Sequence, residues 1–441
     1  MNEPQLEGWG RVPRPGREIL SENLTRISEG ATLARGLGRS YGDSSLPAVP
    51  SDKVIGTRLA NRILSFDEET GVLRAEAGLC LDDVLRSFMP RGFFPPVTPG
   101  TKFVTLGGMV ASDVHGKNHH VDGCFGAHVR ALKVRLADGD IVECSPTEMS
   151  DLFYGTIGGM GLLGHILEVE FTMVRIPSQY IWMDSERVPD IDSFLAGLER
   201  GATNWPMTMG WIDCLSQGSA MGRGNMMAGR WATPEEVGRR PPPREKLQLK
   251  LPFDLPNWAL NPFTGSVFNA LIYWKHLPQR FAGLTEPTPF FWPLDALLEW
   301  NRGYGKRGFT QYQCVIPRHA GAPAVREFMQ LLTRLGGASP LCVIKDCGPE
   351  SQAVLSFPLE GTSIAIDMAL QPDLQRIVDH LNAFLIEVGG RIYLTKDLLT
   401  RAQDYAAMDP RLPRFFALRD KYDPHRKLRS AQSVRLFGDP A

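Results

Sequence analysis

ARGLGRSYGD, residues 34–43, sets three glycines among small and polar side chains directly after a strand-like start. Glycine enters the positive-φ region without the steric cost that other residues meet, so Gly36, Gly38 and Gly42 predict a loop whose backbone N–H groups turn inward. Such a nest holds an anion, and a pyrophosphate suits it. The spacing is neither a Rossmann G-x-G-x-x-G opening a helix nor a Walker loop, because the closing G-K-S/T is missing. Read alone, these ten residues serve equally well as an ordinary Gly-rich turn.

Further along, the same quality returns twice. PGTKFVTLGGMVASDVHGKNHH, residues 99–120, carries Gly107, Gly108, Ala111 and Ser112, small enough to let the backbone approach a flat, bulky cofactor. GTIGGMGLLGHI, residues 155–166, repeats the pattern, and three such segments in the first 170 residues are hard to explain as turns. The second ends in HGKNHH, which holds three of the nine histidines and places His115 and His119 four apart, as on a zinc-binding helix. Gly116 costs a helix roughly 1 kcal/mol against Ala. Lys117 puts a cation beside the histidines, where a zinc site would use anionic or neutral ligands. No metal is expected, and His119 and His120 are left without a role.

Around these segments the pattern is strand-and-turn. RILSFDEETGVLRAEAG (62–78) reads as a hairpin about an acidic turn, and AHVRALKVRLADGDIVECS (127–145) as two strands about Asp138-Gly139. LDDVLRSFM repeats Leu81, Val84, Leu85 and Phe88 at helical spacing, a short helix falls at about 147–157, and ILEVEFTMVRI is a strong strand. FFPPVTPGT must be a loop. Beyond residue 176 come most of the tryptophans, the Pro-rich RRPPPREK and PFDLPNWALNPF, and the alternating TQYQCVI. PDLQRIVDHLNAFLIEVGG is an amphipathic helix that Gly389 and Gly390 stop, and two helical pieces, LTRAQDYAAM and PRFFALRDKY, follow. The predicted organisation is residues 1–175, 176–390 and a C-terminal segment 391–441.

Composition narrows the function. A chain of 441 residues, 43% hydrophobic, sustains two cored domains. Its 48 basic and 49 acidic residues cancel, so nothing argues for nucleic acid as a partner. The seven cysteines are scattered without a C-x-x-C pair and read as reduced thiols of a cytoplasmic-type setting. MNEPQLEGWGRVPRPGRE has no apolar signal core, and no run of about 18 apolar residues occurs, so neither a secretion signal nor a spanning helix is expected.

ARGLGRSYGD, PGTKFVTLGGMVASDVHGKNHH, FGAHVRALKVRLADG, WNRGYGKRGFTQYQ, QAVLSFP and GGRIYLTKD stand in the order found in one family. From about residue 30 onward the chain resembles the decaprenylphosphoryl-β-D-ribose 2-oxidase family, within the FAD flavoproteins of vanillyl-alcohol-oxidase (PCMH) type. That resemblance implies an α+β, two-domain PCMH-type fold: an FAD-binding domain (1–175), a substrate domain built on an antiparallel sheet flanked by helices (176–390), and a C-terminal segment returning to the first domain (391–441). It implies that Ala34, Arg35, Gly36, Leu37, Gly38, Arg39, Ser40, Tyr41, Gly42, Asp43 and Ser44 wrap the FAD pyrophosphate. Gly100, Thr105, Leu106, Gly107, Gly108, Ser112, Asp113, Val114 and His115 would line the rest of the cofactor, with Ile166 and Tyr393 completing the flavin site. Lys117, Trp211, Tyr304, Gln311, Gln313, Lys345 and Ala365 would meet the substrate, and Lys396 would stand beside both flavin and substrate. Relatives that bind flavin covalently carry a histidine where Arg39 stands, which implies non-covalent FAD here. In SIAID, Ala365 replaces the family cysteine that covalent inhibitors trap, implying resistance to them and putting the identity of the substrate in question.

The implied chemistry removes a hydride from a secondary alcohol to flavin N5 and a proton to a base, at C2 of a polyprenylphosphoryl ribose. Lys396 is the candidate for electrostatic stabilisation or proton handling, with Tyr41, Tyr304 and His115 as candidates for the base. The implied partners are the lipid-linked sugar phosphate and an NAD(P)-dependent keto-reductase that finishes an epimerisation to arabinose. The segment 240–285, with Trp258, Phe263, Phe268 and Trp274, would cover the pocket or rest on the inner membrane as a peripheral contact; its prolines predict a mobile loop rather than an amphipathic helix. Two other readings stay open: an oxidase of a soluble alditol or sugar lactone, and a non-catalytic flavin-binding protein.

Overall fold

The computed structural model describes residues 4–244, 248–259, 261–275 and 278–441. The first three residues of the N-terminal stretch, and Glu245 and Lys246 of RRPPPREK, lie outside them.

Two small sheets build the first part of the molecule. Glu18–Leu20, Val54–Gly56 and Leu33–Arg35 pair in parallel, with Val54–Gly56 in the centre. An antiparallel sheet runs Ile141–Cys144, Val129–Arg135, His165–Thr172, Val72–Glu76 and Ile63–Asp67. Both predicted hairpins are present in it. The helix Leu81–Phe88 buries Leu81, Val84, Leu85 and Phe88, places Asp82 and Asp83 in its first turn, and is followed by a turn that Gly92 closes at φ 80°.

An eight-stranded antiparallel sheet dominates the rest, in the order Arg280–Thr285, Ile181–Val188, Gly224–Trp231, Met207–Ile212, Cys342–Cys347, Gly361–Ala369, Phe309–Pro317 and Arg391–Ile392. Side chains alternate across a strand. In Phe309–Pro317, Tyr312 therefore points to the helical side, where its hydroxyl donates to Asn382 and its ring packs on Phe328. Gln311 and Gln313 point to the other face. Helices Ile191–Asn204, Gly321–Arg334 and Leu374–Val388 cover the first side, the last ending at Gly389 in the left-handed region as its sequence predicts. One hydrophobic cluster runs through both large sheets.

The chain then leaves the edge strand Arg391–Ile392 for helices Ala402–Met408, Leu412–Tyr422 and a third, Ala431–Phe437, that the sequence pattern does not reveal. These helices and the turn between the last two reach back to the N-terminal part of the molecule: Tyr422 and Lys421 bond Asp151, Arg429 bonds Asp52 and Arg435 bonds Asp43.

One expectation is overturned. Within 240–285 the structure carries a 14-residue helix, Pro262–Lys275, rather than a loop. The prolines precede it, none falls in its interior, and a proline at a first helical position lacks only an N–H that would be unpaired anyway. Asn261 Oδ1 accepts from the backbone N–H groups of Phe263 and Thr264, capping the start.

Candidate active site

Between the Gly-rich loops and the odd-numbered face of the large sheet lies a cavity of about 320 Å³, within the roughly 300–1,000 Å³ typical of ligand pockets. Strand Leu33–Arg35 delivers the chain into the first loop, whose residues Ala34 to Tyr41 and Ser44 line it. Of the three loop glycines only Gly38 has positive φ, 64°. The others serve close approach: a Cβ on Gly36 would stand 2.4 Å from Thr105 Oγ1, and one on Gly42 1.7 Å from the Asp397 carbonyl. The N–H groups of Leu37, Gly38, Arg39 and Ser40 meet no protein acceptor among the described residues, which leaves an anion nest facing the cavity. Arg39 lies 4.1 Å over the Trp9 ring.

The second segment contributes Gly100, Thr105, Gly108, Ser112, Val114, His115 and Lys117, and the loop after Ile392 contributes Tyr393 and Lys396. From the sheet come Gln311, Gln313, Lys345 and Ala365. Register explains their convergence: Gln313 pairs with Ala365, Val343 with Ala365 and Lys345 with Ser363. Lys345 thus stands in a strand facing the cavity, although its Gly-Pro neighbourhood reads as a surface loop.

Eight expected residues lie elsewhere. Gly42 packs on Asp397, and Asp43 pairs with Arg435. Leu106 is fully buried in the core, Gly107 presses on Ala77, and Ile166 is buried in a sheet strand opposite Val134. Asp113 is consumed by Gly126 N–H and the hydroxyls of Ser351 and Ser356. Trp211 donates Nε1–H to the Pro340 carbonyl, and Tyr304 stacks on Phe309 at 4.1 Å while its hydroxyl donates to Asp367. They support the wall rather than line it. Conversely, Trp9, Ser45, Asp295, Trp300, Ser363 and Thr395 line the cavity without having been expected. Ser363 shares strand parity with Ala365, Thr395 adjoins Lys396 and Ser45 adjoins Ser44, so those three carried a signal; Trp9, Asp295 and Trp300 come from distant segments that no local pattern joins.

The electrostatics are unusual. Lys117, Lys345 and Lys396 stand half-buried around one cavity, and among the described residues none forms an ion pair. Lys117 donates to the Phe291 carbonyl at 3.1 Å and Lys345 to the Gly116 carbonyl at 3.4 Å, while the Lys396 ammonium lies 3.7 Å over the Tyr41 ring. Burial, helped by Lys345, lowers Lys117 to about 7. Burial also lowers Lys345. Lys396 falls to about 7 by burial, with Asp367 holding it up and Lys345 pushing it down. Asp367, fully buried behind the cavity wall, rises to about 7 by burial despite donors Gln311 and Tyr304 and the charge of Lys396.

Burial, with Lys345, His119 and Lys396 in support, pushes His115 well below its ordinary value, so its ring is neutral. Gln313 Nε2 lies 3.0 Å from His115 Nε2 and donates to it, assigning the proton to Nδ1, which finds no protein acceptor. Tyr41 and Tyr304 are raised well above 10 by burial and stay protonated. The other two histidines of HGKNHH serve the backbone: His119 Nδ1 accepts from Gly348 N–H, and His120 Nε2 bonds the Trp205 carbonyl.

These residues fit FAD. The orphan N–H nest suits a pyrophosphate, the small side chains of Gly100, Gly108, Ala111 and Ser112 leave room for a flat ring system, and a Cβ on Gly100 would enter open space. Residues 25–145 match the family model described as an FAD binding domain. The fold and this site define an FAD-dependent oxidoreductase.

The chain is 35% identical to the decaprenylphosphoryl-β-D-ribose oxidase of Mycolicibacterium smegmatis, over 98% of this chain and 97% of that protein. It is 29% identical to an uncharacterized protein of Streptomyces coelicolor over 79% of this chain and 97% of the relative. A putative D-arabinono-1,4-lactone oxidase of Neurospora crassa is 28% identical over only 36% of this chain and 30% of its own length. The chain belongs to the decaprenylphosphoryl-β-D-ribose oxidase family.

Proposed function

We propose that the protein oxidises the C2 hydroxyl of a polyprenylphosphoryl-β-D-ribose-like substrate to a ketone, the first half of an epimerisation to the arabinose form. The reading rests above all on the three half-buried lysines that share the cavity. Partly desolvated cations gathered without a counter-charge disfavour one another, so Lys117, Lys345 and Lys396 together suit a ligand that brings negative charge into the cavity. A neutral alditol brings none, and the lactone-oxidase relative shares only a third of the chain. The M. smegmatis relative is a decaprenylphosphoryl-β-D-ribose oxidase, and that supports the substrate class.

Bound FAD supplies the hydride acceptor. The chain's own groups hold and orient: the nest at Leu37–Ser40 takes the pyrophosphate, Lys117 and Lys345 take the substrate's phosphate end, and Gln311 and Gln313 offer their amides to the sugar hydroxyls. Lys396, whose ionisation is tied to Asp367, stands at the reacting end: its neutral form takes the hydroxyl proton, and the resulting cation steadies the negative charge on the reduced cofactor before releasing the proton to solvent. Arg39 offers no nucleophile at the first loop, so FAD is held non-covalently. The 2-keto product calls for an NAD(P)-dependent reductase as partner, and residues 1–175, 176–390 and 391–441 act as cofactor, substrate and closing segments. Anaerobic mixing of the FAD-loaded protein with a polyprenylphosphoryl ribose should bleach the long-wavelength flavin band. Persistence of that band at saturating substrate would sink the proposal.

A further inference from the structure

The helix Pro262–Lys275 is built inside out. Its protein-facing stripe, Gly265, Asn269 and Tyr273 at four-residue spacing, is small or polar. Gly265 packs against Leu215 and Pro340, and the fully buried Asn269 donates Nδ2–H to Asp213 Oδ1 at 2.6 Å. Asn225 donates to the Ile272 carbonyl, and Arg223 lies 4.8 Å over the Tyr273 ring. The solvent face carries Phe263 (76% exposed), Val267, Phe268, Leu271 (68% exposed) and Trp274. An ordinary surface helix has the opposite arrangement. Its polar contacts fix the rotation, so the apolar face cannot turn inward.

Leu249, Phe253 and Trp258 are exposed in the segment leading to the helix, giving eight exposed large apolar side chains between Leu249 and Trp274 among the described residues. Exposed apolar residues are ordinary singly, but a contiguous group marks an interaction surface. Its charge names the partner. Residues 239–280 hold seven Lys or Arg against two Asp or Glu. Arg239, Arg240, Arg244 and Lys275 are exposed, as are Lys306 and Arg307 beside Asn257. Aromatic and aliphatic side chains rimmed by cations match the headgroup and acyl boundary of an anionic bilayer. No described helix is long and apolar enough to cross a membrane, so this one would lie in the interfacial plane.

The same chain forms the cavity wall. Pro340, against Gly265, precedes Leu341, which lines the cavity; Gln248 and Leu251 bond the Asp295 and Leu298 backbones, next to the lining residues Leu294 and Trp300. We propose that the helix Pro262–Lys275 and the aromatic segment before it are the surface by which the protein sits on an anionic lipid bilayer, holding the cavity where a lipid-linked sugar can enter. The docking surface stands on its own observations, whereas the delivery of substrate rests on the function proposed above.

The test is co-sedimentation of the FAD-loaded full chain with phosphatidylcholine vesicles, with and without phosphatidylglycerol, for wild type and the double variant Phe263→Ser/Leu271→Ser. Both side chains face solvent, so the flavin spectrum and melting temperature should be unchanged. Wild type should pellet with the phosphatidylglycerol vesicles and the variant should lose about tenfold or more in partitioning. Oxidation of a water-soluble, short-chain polyprenylphosphoryl ribose should be equal in both. Wild type staying in the supernatant, or the variant pelleting equally well, overturns the proposal. Self-association that the variant abolishes, without vesicle binding, overturns it in favour of a protein partner. Vesicle binding without turnover of any ribose substrate upholds the docking surface and overturns the substrate reading instead.

Discussion

Replacing Asp367 by Asn keeps the side chain's shape and removes a buried carboxyl group whose charged form supports Lys396, which makes the role of Lys396 measurable. Burial brings Lys396 down to about 7, and Asp367 opposes that fall. An opposite charge a few ångströms away shifts an ionisation by roughly 1–3 units in a protein interior. Losing that support lowers the ionisation of Lys396 further, and each pH unit of the fall cuts its charged fraction at neutral pH up to about tenfold. A lysine is a cation below its pKa, so the cation that steadies the reduced cofactor is lost as pH rises through that value, and in the variant it is lost earlier. Flavin reduction at pH 7, followed by anaerobic stopped-flow absorbance, should therefore slow about tenfold and recover toward the wild-type rate as the pH is lowered. Lys396→Met should lose about 10²-fold or more at every pH, without recovery. If Asp367→Asn shows the same flat loss from acid to neutral pH, the carboxylate itself takes the proton and the reasoning fails.

Lys345→Met removes a half-buried cation that has no ion-pair partner among the described residues. Scanning fluorimetry should show a higher melting temperature without substrate, while the substrate dissociation constant rises about tenfold or more; a lower melting temperature with unchanged affinity would contradict this. Gly42→Ala places a Cβ 1.7 Å from the Asp397 carbonyl, so the first loop must shift away from the loop bearing Lys396. The purified variant should carry substoichiometric FAD, read as the flavin-to-protein absorbance ratio, and full loading would refute the close-approach reading. His165, fully buried and bonded to the Ala31 carbonyl, is lowered to about 4 chiefly by burial. The unfolded chain binds its proton from about pH 6.5 downward and the folded protein does not, so stability should fall by up to about 3 kcal/mol between pH 6.5 and 4. In urea titrations His165→Gln should remove that part of the slope; an unaltered slope would assign it elsewhere.

Much of the site was legible because short motifs carry it. The first loop, the stretch from Gly100 to Lys117 and the run Tyr393–Lys396 are contiguous, and most of the residues matched in them line the cavity. Motif membership, however, does not say which way a residue faces. Leu106 and Gly107 sit in the most recognisable segment, yet helix geometry turns them toward the core and Ala77. Asp367 could not be found by pattern, because its importance lies in a register that sets it opposite Gln311 across two strands 56 residues apart. Trp9, Asp295 and Trp300 meet the cavity only through long-range packing. In the fold, periodicity gave the amphipathic helices and hairpins, whereas Pro262–Lys275 was hidden because its apolar residues surround a small-and-polar inner stripe and prolines crowd its approach.

Arg435, in the helix Ala431–Phe437, bonds Asp43 at the end of the first loop and pairs with Asp397 beside Lys396, and Gln432 of the same helix donates to the Leu394 carbonyl. The loop that would cradle the cofactor is thus translated 392 residues ahead of the arginine that clamps it. While a ribosome is still extending the chain, the nest has no clasp, and cofactor capture must wait until residue 435 has emerged. A stop codon upstream of that helix should therefore yield colourless protein rather than a weakened yellow enzyme, and cells short of FAD should accumulate finished chains instead of stalled ones.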